Sequence, residues 1–231
     1  QQAGAEDADM LIAVTAGDEI NLVACKIAAD LYNIPTRIAR VRNVELQQHP
    51  ALIGEGGFRA SHVIFPEQTV TDYLLKLIEF PEALQVLEFA DGRASLIAVR
   101  AFAGGPLVSH PVKDLRRHLP NVDARIVAIF REGAGVRVDG DTMVQPGDEV
   151  FFLADSQNIR TVMSELRRMD KPVRRVMLAG GGNIGLRLAR ALDTGEGLDT
   201  PERVNVKIIE FNKRRAEVLA HQLSANVIVL N

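Results

Sequence analysis

Three glycines and one acid carry the clearest chemistry in this sequence. Arg175-Val-Met-Leu-Ala-Gly180-Gly-Gly182-Asn-Ile-Gly185-Leu-Arg-Leu-Ala-Arg190 reads as a short apolar strand, a G-x-G-x-x-G turn and a helix. In that pattern Gly180 allows the tight turn, Gly182 lets main chain approach a pyrophosphate, and Gly185 permits close helix–strand packing. The phosphates would rest on the amides of Asn183, Ile184 and Gly185, where the helix dipole favours negative charge. Val206-Lys-Ile-Ile-Glu210 then reads as a second strand ending on a carboxylate suited to a ribose diol. Glu210 stands 25 residues beyond Gly185, somewhat past the usual spacing of about 20. The turn-rich stretch Asp193–Thr200 accounts for the excess. Glycine clusters also make ordinary turns, so an empty turn of the same shape is the competing reading. The strand–turn–helix–strand–acid context favours a bound nucleotide, and an acid in place of an arginine argues against NADP.

Composition sets the frame for that site. With 231 residues the chain holds one large domain or two to three small ones, and 47% hydrophobic residues are ample for buried cores. A formal net charge of -3 exerts no global pull on nucleic acid. Cys25 has no second cysteine to pair with, and its small apolar neighbours predict a buried thiol in a reducing compartment. No apolar run reaches the roughly 18 residues needed to span a bilayer, so the expectation is a soluble protein that meets a membrane only through a partner.

The elements that would position the site fall into three groups. Met10–Thr15 is a continuous apolar run, expected to be a parallel strand covered on both faces. Asp18 is placed to cap the helix that follows, whose Ile20, Val23, Ala24, Ile27, Ala28 and Leu31 form one apolar stripe. Strands are expected at Thr36–Val41 and Ala60–Phe65, and a helix over Thr69–Glu79 with Tyr73, Leu74, Leu77 and Ile78 inward. From Glu82 to about Asp170 the rhythm changes. Strands at Ala94–Phe102, Arg125–Phe130, Gly135–Asp139 and Glu149–Leu153, short helical Val112–Leu119 and amphipathic Ser156–Met169 make a small α+β module. Lys171-Pro172 is the expected boundary. The last segment gives strand, helix, strand, helix (Lys213–Leu223) and the strand Val227–Leu230, one mononucleotide half of a doubly wound sheet.

Other polar groups read as structural. His49, His62, His110, His118 and His221 lack metal-ligand spacing, so no metal site is expected. Glu6, Asp7 and Asp9 read as a solvated face. Arg167, Arg168, Lys171, Arg174 and Arg175 follow a helix C-terminus, where cations offset the dipole. Arg40 and Arg42, at a strand end, divide evenly between phosphate contacts and ordinary ion pairs. No tyrosine–lysine pair one helical turn apart, no base–nucleophile pair beside the glycines and no G-x-S-x-G elbow is present, so no catalytic residue is expected.

These segments carry a family resemblance. Ala5–Asn21 (AEDADMLIAVTAGDEIN) with Arg37–Asn43 (RIARVRN) resembles the back half of an RCK (KTN) domain. Residues 82 to about 170, with Pro146-Gly-Asp-Glu-Val150, resemble a TrkA-C module. Met177–Arg187 and Ile208–Ala216 resemble the opening of a second RCK domain. The chain is thus similar to the TrkA family, nucleotide-binding regulatory subunits of Trk-type bacterial potassium-uptake systems. The resemblance implies an α/β fold with two partial Rossmann-like (RCK) half-domains, 1–81 and 172–231, flanking a TrkA-C module at 82–171. It implies an internal fragment, a cytoplasmic regulator peripheral to the membrane and not an enzyme, and NAD(H) as the cofactor with ATP or ADP as the alternative. The implied partner is a membrane-embedded potassium transporter subunit, with RCK-mediated homo-oligomers and no nucleic acid. Gly180, Gly182, Gly185 and Glu210 map onto the family's nucleotide motif; Thr15 and Asp18 match the loop expected across the crevice from it. Two halves would complete one sheet by pairing Leu11–Val14 with Val176–Ala179, within a chain or between two chains by swapping. Two other classes remain: a nicotinamide-dependent oxidoreductase with catalytic residues outside this segment, and a TrkA-C-like small-molecule sensor unconnected with transport.

Overall fold

A computed structural model describes residues 4–167, 173–196 and 204–231. The chain runs β1 (Met10–Ala13), α1 (Asp18–Tyr32), β2 (Thr36–Arg40), α2 (Val44–Gln47), α3 (Pro50–Ile53), β3 (His62–Ile64) and α4 (Pro66–Glu79). An antiparallel set follows: β4 (Ala83–Phe89), β5 (Ala94–Arg100), α5 (Leu115–His118), β6 (Ala124–Arg131), β7 (Ala134–Val136), β8 (Glu149–Asp155) and α6 (Ile159–Leu166). It closes with β9 (Arg175–Ala179), α7 (Asn183–Thr194), β10 (Asn205–Ile209), α8 (Lys213–Gln222) and β11 (Ile228–Leu230). The fold is α/β, with two three-stranded parallel sheets, β1-β2-β3 and β11-β10-β9, on either side in sequence of a five-stranded sheet ordered β4-β5-β8-β6-β7. Residues 1–71 and 72–231 form two compact units.

In the first unit α1 buries Leu22, Cys25, Ala28 and Ala29, and Leu22 and Cys25 share a core with Ala13, Ala39 and Val41. The expected stripe is borne out only at Ala24 and Ala28 and corrected at its large members. Ile20 and Leu31 are 61% and 71% exposed, and Val23 and Ile27 also face out. The helix is apolar on most of its circumference, and its small residues are the ones that let it approach the sheet closely. Burial of the Cys25 thiol pushes its pKa up. β1 is likewise not covered on both faces: Met10 and Ile12 are exposed while Ala13 is buried, because α1 shields one side only. Arg37 is buried and spends its guanidinium on the carbonyls of Ile34, Pro35 and Arg59 and on the Glu55 carboxylate, locking the turn before β2 to the loop before β3.

In the second unit the five-stranded sheet packs Ile97, Val99, Ile129, Val150 and Phe152 against Met163 and Leu166 of α6. Asp148 is buried and held by a two-pronged pair with Arg131, at 2.8 and 2.9 Å, and by the Gln145 amide at 2.8 Å. Burial opposes charge on Asp148, but these donors prevail and its pKa is lowered. The Met169 position and the expected boundary at Lys171-Pro172 lie outside the described residues, as do Arg168 and residues 197–203.

The final parallel sheet is cored by Val206 and Ile208 of β10, covered by Leu188, Ala189 and Leu192 of α7, Leu219 of α8 and Leu75 of α4. On α4, Leu74, Leu75 and Ile78 face this core, whereas Tyr73, expected inward, is 38% exposed. β9 and β10 pair in register, Leu178 with Ile208 and Ala179 with Ile209. Strand ends 179 and 209 therefore sit level, and the residues after them are neighbours. Within its own sheet β9 bonds to β10, as β1 bonds to β2 in the sheet of the first unit.

Candidate functional site

The glycine loop is built from the level ends of β9 and β10. Gly180 donates its amide to the Ile209 carbonyl at 2.8 Å and then turns with φ of +106°, a conformation that favours glycine. Gly185 lies one helical turn into α7, and a Cβ there would fall 2.2 Å from the Gly180 carbonyl oxygen. Close packing of helix against strand end requires the glycine, as its place in the pattern predicts. Gly182 differs. It is the N-cap of α7 with ordinary φ of -67°, and a Cβ on it would meet no atom within 4 Å. Neither backbone strain nor crowding excludes a side chain there; the space above it is open. Asn183 and Ile184 are exposed, and no side chain caps the α7 amides.

Glu210 is the second component. Its Oε2 accepts the Gly181 amide at 2.7 Å and its Oε1 the Asn212 amide at 2.8 Å. The Asn212 and Gly181 amides, aided by the Arg215 charge, hold the Glu210 pKa below its ordinary value. A carboxylate accepts about four hydrogen bonds, so two positions stay open, the number a ribose diol would use. Gly181 is the residue the sequence pattern passed over. Its amide is held by Glu210, its carbonyl accepts Arg215 Nε at 2.9 Å, and a Cβ would lie 2.1 Å from buried Leu219. The extra glycine in Gly180-Gly-Gly182, beyond what G-x-G requires, was the available signal. Arg215 had none.

Thr15 and Asp18 stand on the other parallel sheet. Asp18 does not cap α1, whose N-cap is Gly17 without a side-chain bond. Asp18 Oδ2 instead accepts the amides of Arg42 and Asn43, at 2.8 and 2.7 Å, fixing the loop after β2. The physical reason is position: Asp18 is already the first helical residue, and its side chain reaches the neighbouring strand end. Thr15 is bound through amide and hydroxyl to Asn21 Oδ1, at 2.8 and 2.7 Å. Asn21, fully buried, also donates to the Thr15 and Arg40 carbonyls. Arg40 reaches the Thr15 carbonyl at 2.6 Å, with its Nε buried and without a hydrogen-bond partner among the described residues. Arg42 Nε lies 3.7 Å from Glu67.

No group of three metal-ligating side chains occurs among the described residues. His118 Nδ1 pairs with Glu165 at 2.7 Å, and the His110 ring meets His118 edge-on at 6.3 Å. No helix among the described residues is long and apolar enough to cross a membrane. Among the described residues, open depressions on the central module include one of about 450 Å³ lined by Leu119–Ala124 and Arg116 and one of about 370 Å³ that includes Leu115, Ile126 and Val138.

Comparison with known proteins gives matches over most of the chain. Residues 1–66 match the TrkA-N domain and residues 96–167 the TrkA-C domain. The Trk system potassium uptake protein TrkA of Vibrio alginolyticus is 47% identical over 228 residues, 98% of this chain and 48% of that protein. The protein of the same name from Halomonas elongata is 47% identical over 229 residues, 99% of this chain and 48% of its own length. The chain thus spans about half the length of these relatives. Among solved structures, the GsuK channel superposes with a TM-score of 0.50 at 12% identity, over 96% of this chain and 49% of that one. The GsuK channel bound to NAD gives 0.52 at 13% identity, over 98% and 50%. At these identities the likeness is one of fold.

Proposed function

We propose, from the premise that this chain belongs to the TrkA family, that it is the nucleotide-sensing part of a regulatory subunit of a potassium-uptake system. Its parts are an RCK half-domain at 1–81, a TrkA-C domain at 82–171 and a second RCK half-domain at 172–231. The open space above Gly182, beside a Glu210 carboxylate with two lone-pair positions unspent, is the observation that carries the reading. A pyrophosphate would sit on the amides of Gly182, Asn183, Ile184 and Gly185 at the α7 N-terminus. Glu210 would accept the ribose hydroxyls. NAD(H) is the preferred ligand, supported by the NAD bound to a channel of the same fold; ATP and ADP offer the same diol and phosphates. Thr15 and Asp18 are proposed as nucleotide contacts of the first half-domain by themselves, with Arg40 Nε a donor without a partner among the described residues beside them.

The proposed work is binding without turnover. A nucleotide held better in one arrangement of RCK domains than in another shifts their equilibrium by the difference in affinity, and only by that difference. The shift would pass to a membrane-embedded potassium transporter, with the chain on the inner face of the membrane and assembled into homo-oligomers. Isothermal titration of the full-length protein with NADH, NAD, ATP and ADP is the test. Saturable binding of at least one, abolished by Gly182→Val, supports the reading; no binding of any of the four ends it.

A further inference from the structure

The first turn of α8 holds Lys213, Arg214 and Arg215 and no acid. The positive pole of a helix dipole prefers negative charge, so three cations there work against the helix and call for another use. Arg215 shows one. Its main chain is fixed by Asn212, whose side-chain oxygen accepts the Arg215 amide at 3.0 Å, and its Nε donates to the Gly181 carbonyl at 2.9 Å. None of the described peptide bonds is cis. In a planar trans peptide the C=O of one residue and the N–H of the next point in opposite directions. By holding the Gly181 carbonyl, Arg215 therefore turns the Gly182 N–H the other way, and Gly182 is exposed with no atom within 4 Å of an added Cβ. Glu210 sets the preceding peptide in the same manner: it takes the Gly181 N–H, and the Gly180 carbonyl lies against Gly185 instead. The Gly181–Gly182 peptide has a glycine on each side. A half-turn of it carries Gly182 into positive φ, which glycine enters without strain, and puts a carbonyl oxygen where the donor had been.

We infer that Arg215 is a positioning residue for the phosphate site: through the Gly181 carbonyl it keeps the Gly182 N–H facing the ligand, and its own charge does not contact the phosphate. The inference rests on the reading of the α7 N-terminus as the phosphate cradle.

The test separates the donor from the charge. Glutamine Nε2 stands the same number of bonds from Cα as arginine Nε, so R215Q supplies a neutral donor at the same place, whereas R215M keeps an unbranched stem and offers none. Full-length protein is titrated with NADH, ADP and ATP, as wild type, R215M and R215Q. R215M is expected to weaken all three by a common factor of about ten- to a hundredfold, the worth of one oriented hydrogen bond to a charged group. R215Q is expected to stay within about fivefold of wild type. Arg215 is half-buried on the first turn of a helix, so R215M should melt within about 5 °C of wild type. A guanidinium in direct contact with phosphate gives another pattern: R215Q fails along with R215M, and the loss grows from NADH to ATP with the charge of the ligand. That pattern, or wild-type affinity in R215M, overturns the inference and leaves the nucleotide reading standing. Wild type that binds none of the three removes both.

Discussion

The two glycines at the start of α7 fail for opposite reasons, and that difference can be measured. In Gly182→Val the new Cβ meets no protein atom within 4 Å and φ is -67°, within reach of any L-residue. The loss of a favourable N-cap costs about 1 kcal/mol. Restricting the unfolded chain returns roughly 0.4–1 kcal/mol. The melting temperature should therefore stay within about 3 °C of wild type. Binding should not survive. A valine fills the volume a pyrophosphate needs, and losing two amide–phosphate hydrogen bonds at about 1.5–3 kcal/mol each weakens affinity by at least about a hundredfold. In Gly185→Ala the methyl would stand 2.2 Å from the Gly180 oxygen, so the helix must back away from the strand end. Overpacking of this kind costs about 1–3 kcal/mol, roughly 3–10 °C, and deforms the loop. Differential scanning calorimetry and nucleotide titration on the same preparations give both quantities. Gly182→Val that melts like wild type and binds NADH, ADP or ATP with unchanged affinity refutes the assignment of the open space to phosphate.

Three other outcomes follow from the same contacts. Glu210→Ala should weaken NADH and ADP alike by about ten- to a hundredfold, yet leave 2′,3′-dideoxy-ADP unchanged, since that ligand has no diol to lose; competition titration distinguishes the two. Because the folded-state pKa of Glu210 is lowered from its reference of 4.5, its hold on the Gly181 amide is complete above that value and is lost as pH falls through the depressed one. The Gly181 amide resonance should accordingly be invariant from pH 7 down to about 5 and shift only in stronger acid; movement between pH 6 and 7 would contradict the contact. Phe152→Ala, at a side chain with no exposure in the middle of the five-stranded sheet, should destabilise by about 3–5 kcal/mol in urea unfolding while nucleotide affinity at the remote loop is retained.

How far such contacts were legible in advance depended on whether the determinant was local. Gly180 and Gly185 act through their own backbone geometry, so spacing sufficed for them, and the register of Ala179 with Ile209 follows from two short apolar runs separated by a helix. Pro146-Gly-Asp148 was visible as a turn, but the Arg131 partner that holds Asp148 lies 17 residues away and has no local signature. β4 was missed because Ala83-Leu-Gln-Val-Leu-Glu is rich in residues that favour helix; its pairing with β5, Val86 opposite Ile97, overrides that preference. On α1 periodicity gave an apolar stripe whose small members, Ala24 and Ala28, are turned inward and whose large members are not. Burial there was decided by side-chain size against the sheet, with Cys25, Ala28 and Ala29 fitting where Ile27 and Leu31 do not. Asn21, given no role by the sequence pattern, orders the loop at Thr15, and Asp18 does not cap α1. Asn21 offers both donor and acceptor and so satisfies Thr15 and the Arg40 carbonyl at once, while a carboxylate at the first helical position is better used on the amides of the next loop.

The triple restraint on Gly181, by carboxylate, guanidinium and leucine, has a consequence for signalling. A receptor surface already in its final shape before the effector arrives cannot report that arrival by changing shape. Under the proposed reading, the message of a nucleotide would be written by the end of the molecule that projects past the loop, where NADH and ADP cease to be alike. Two effectors of equal affinity at this loop could for that reason give opposite instructions.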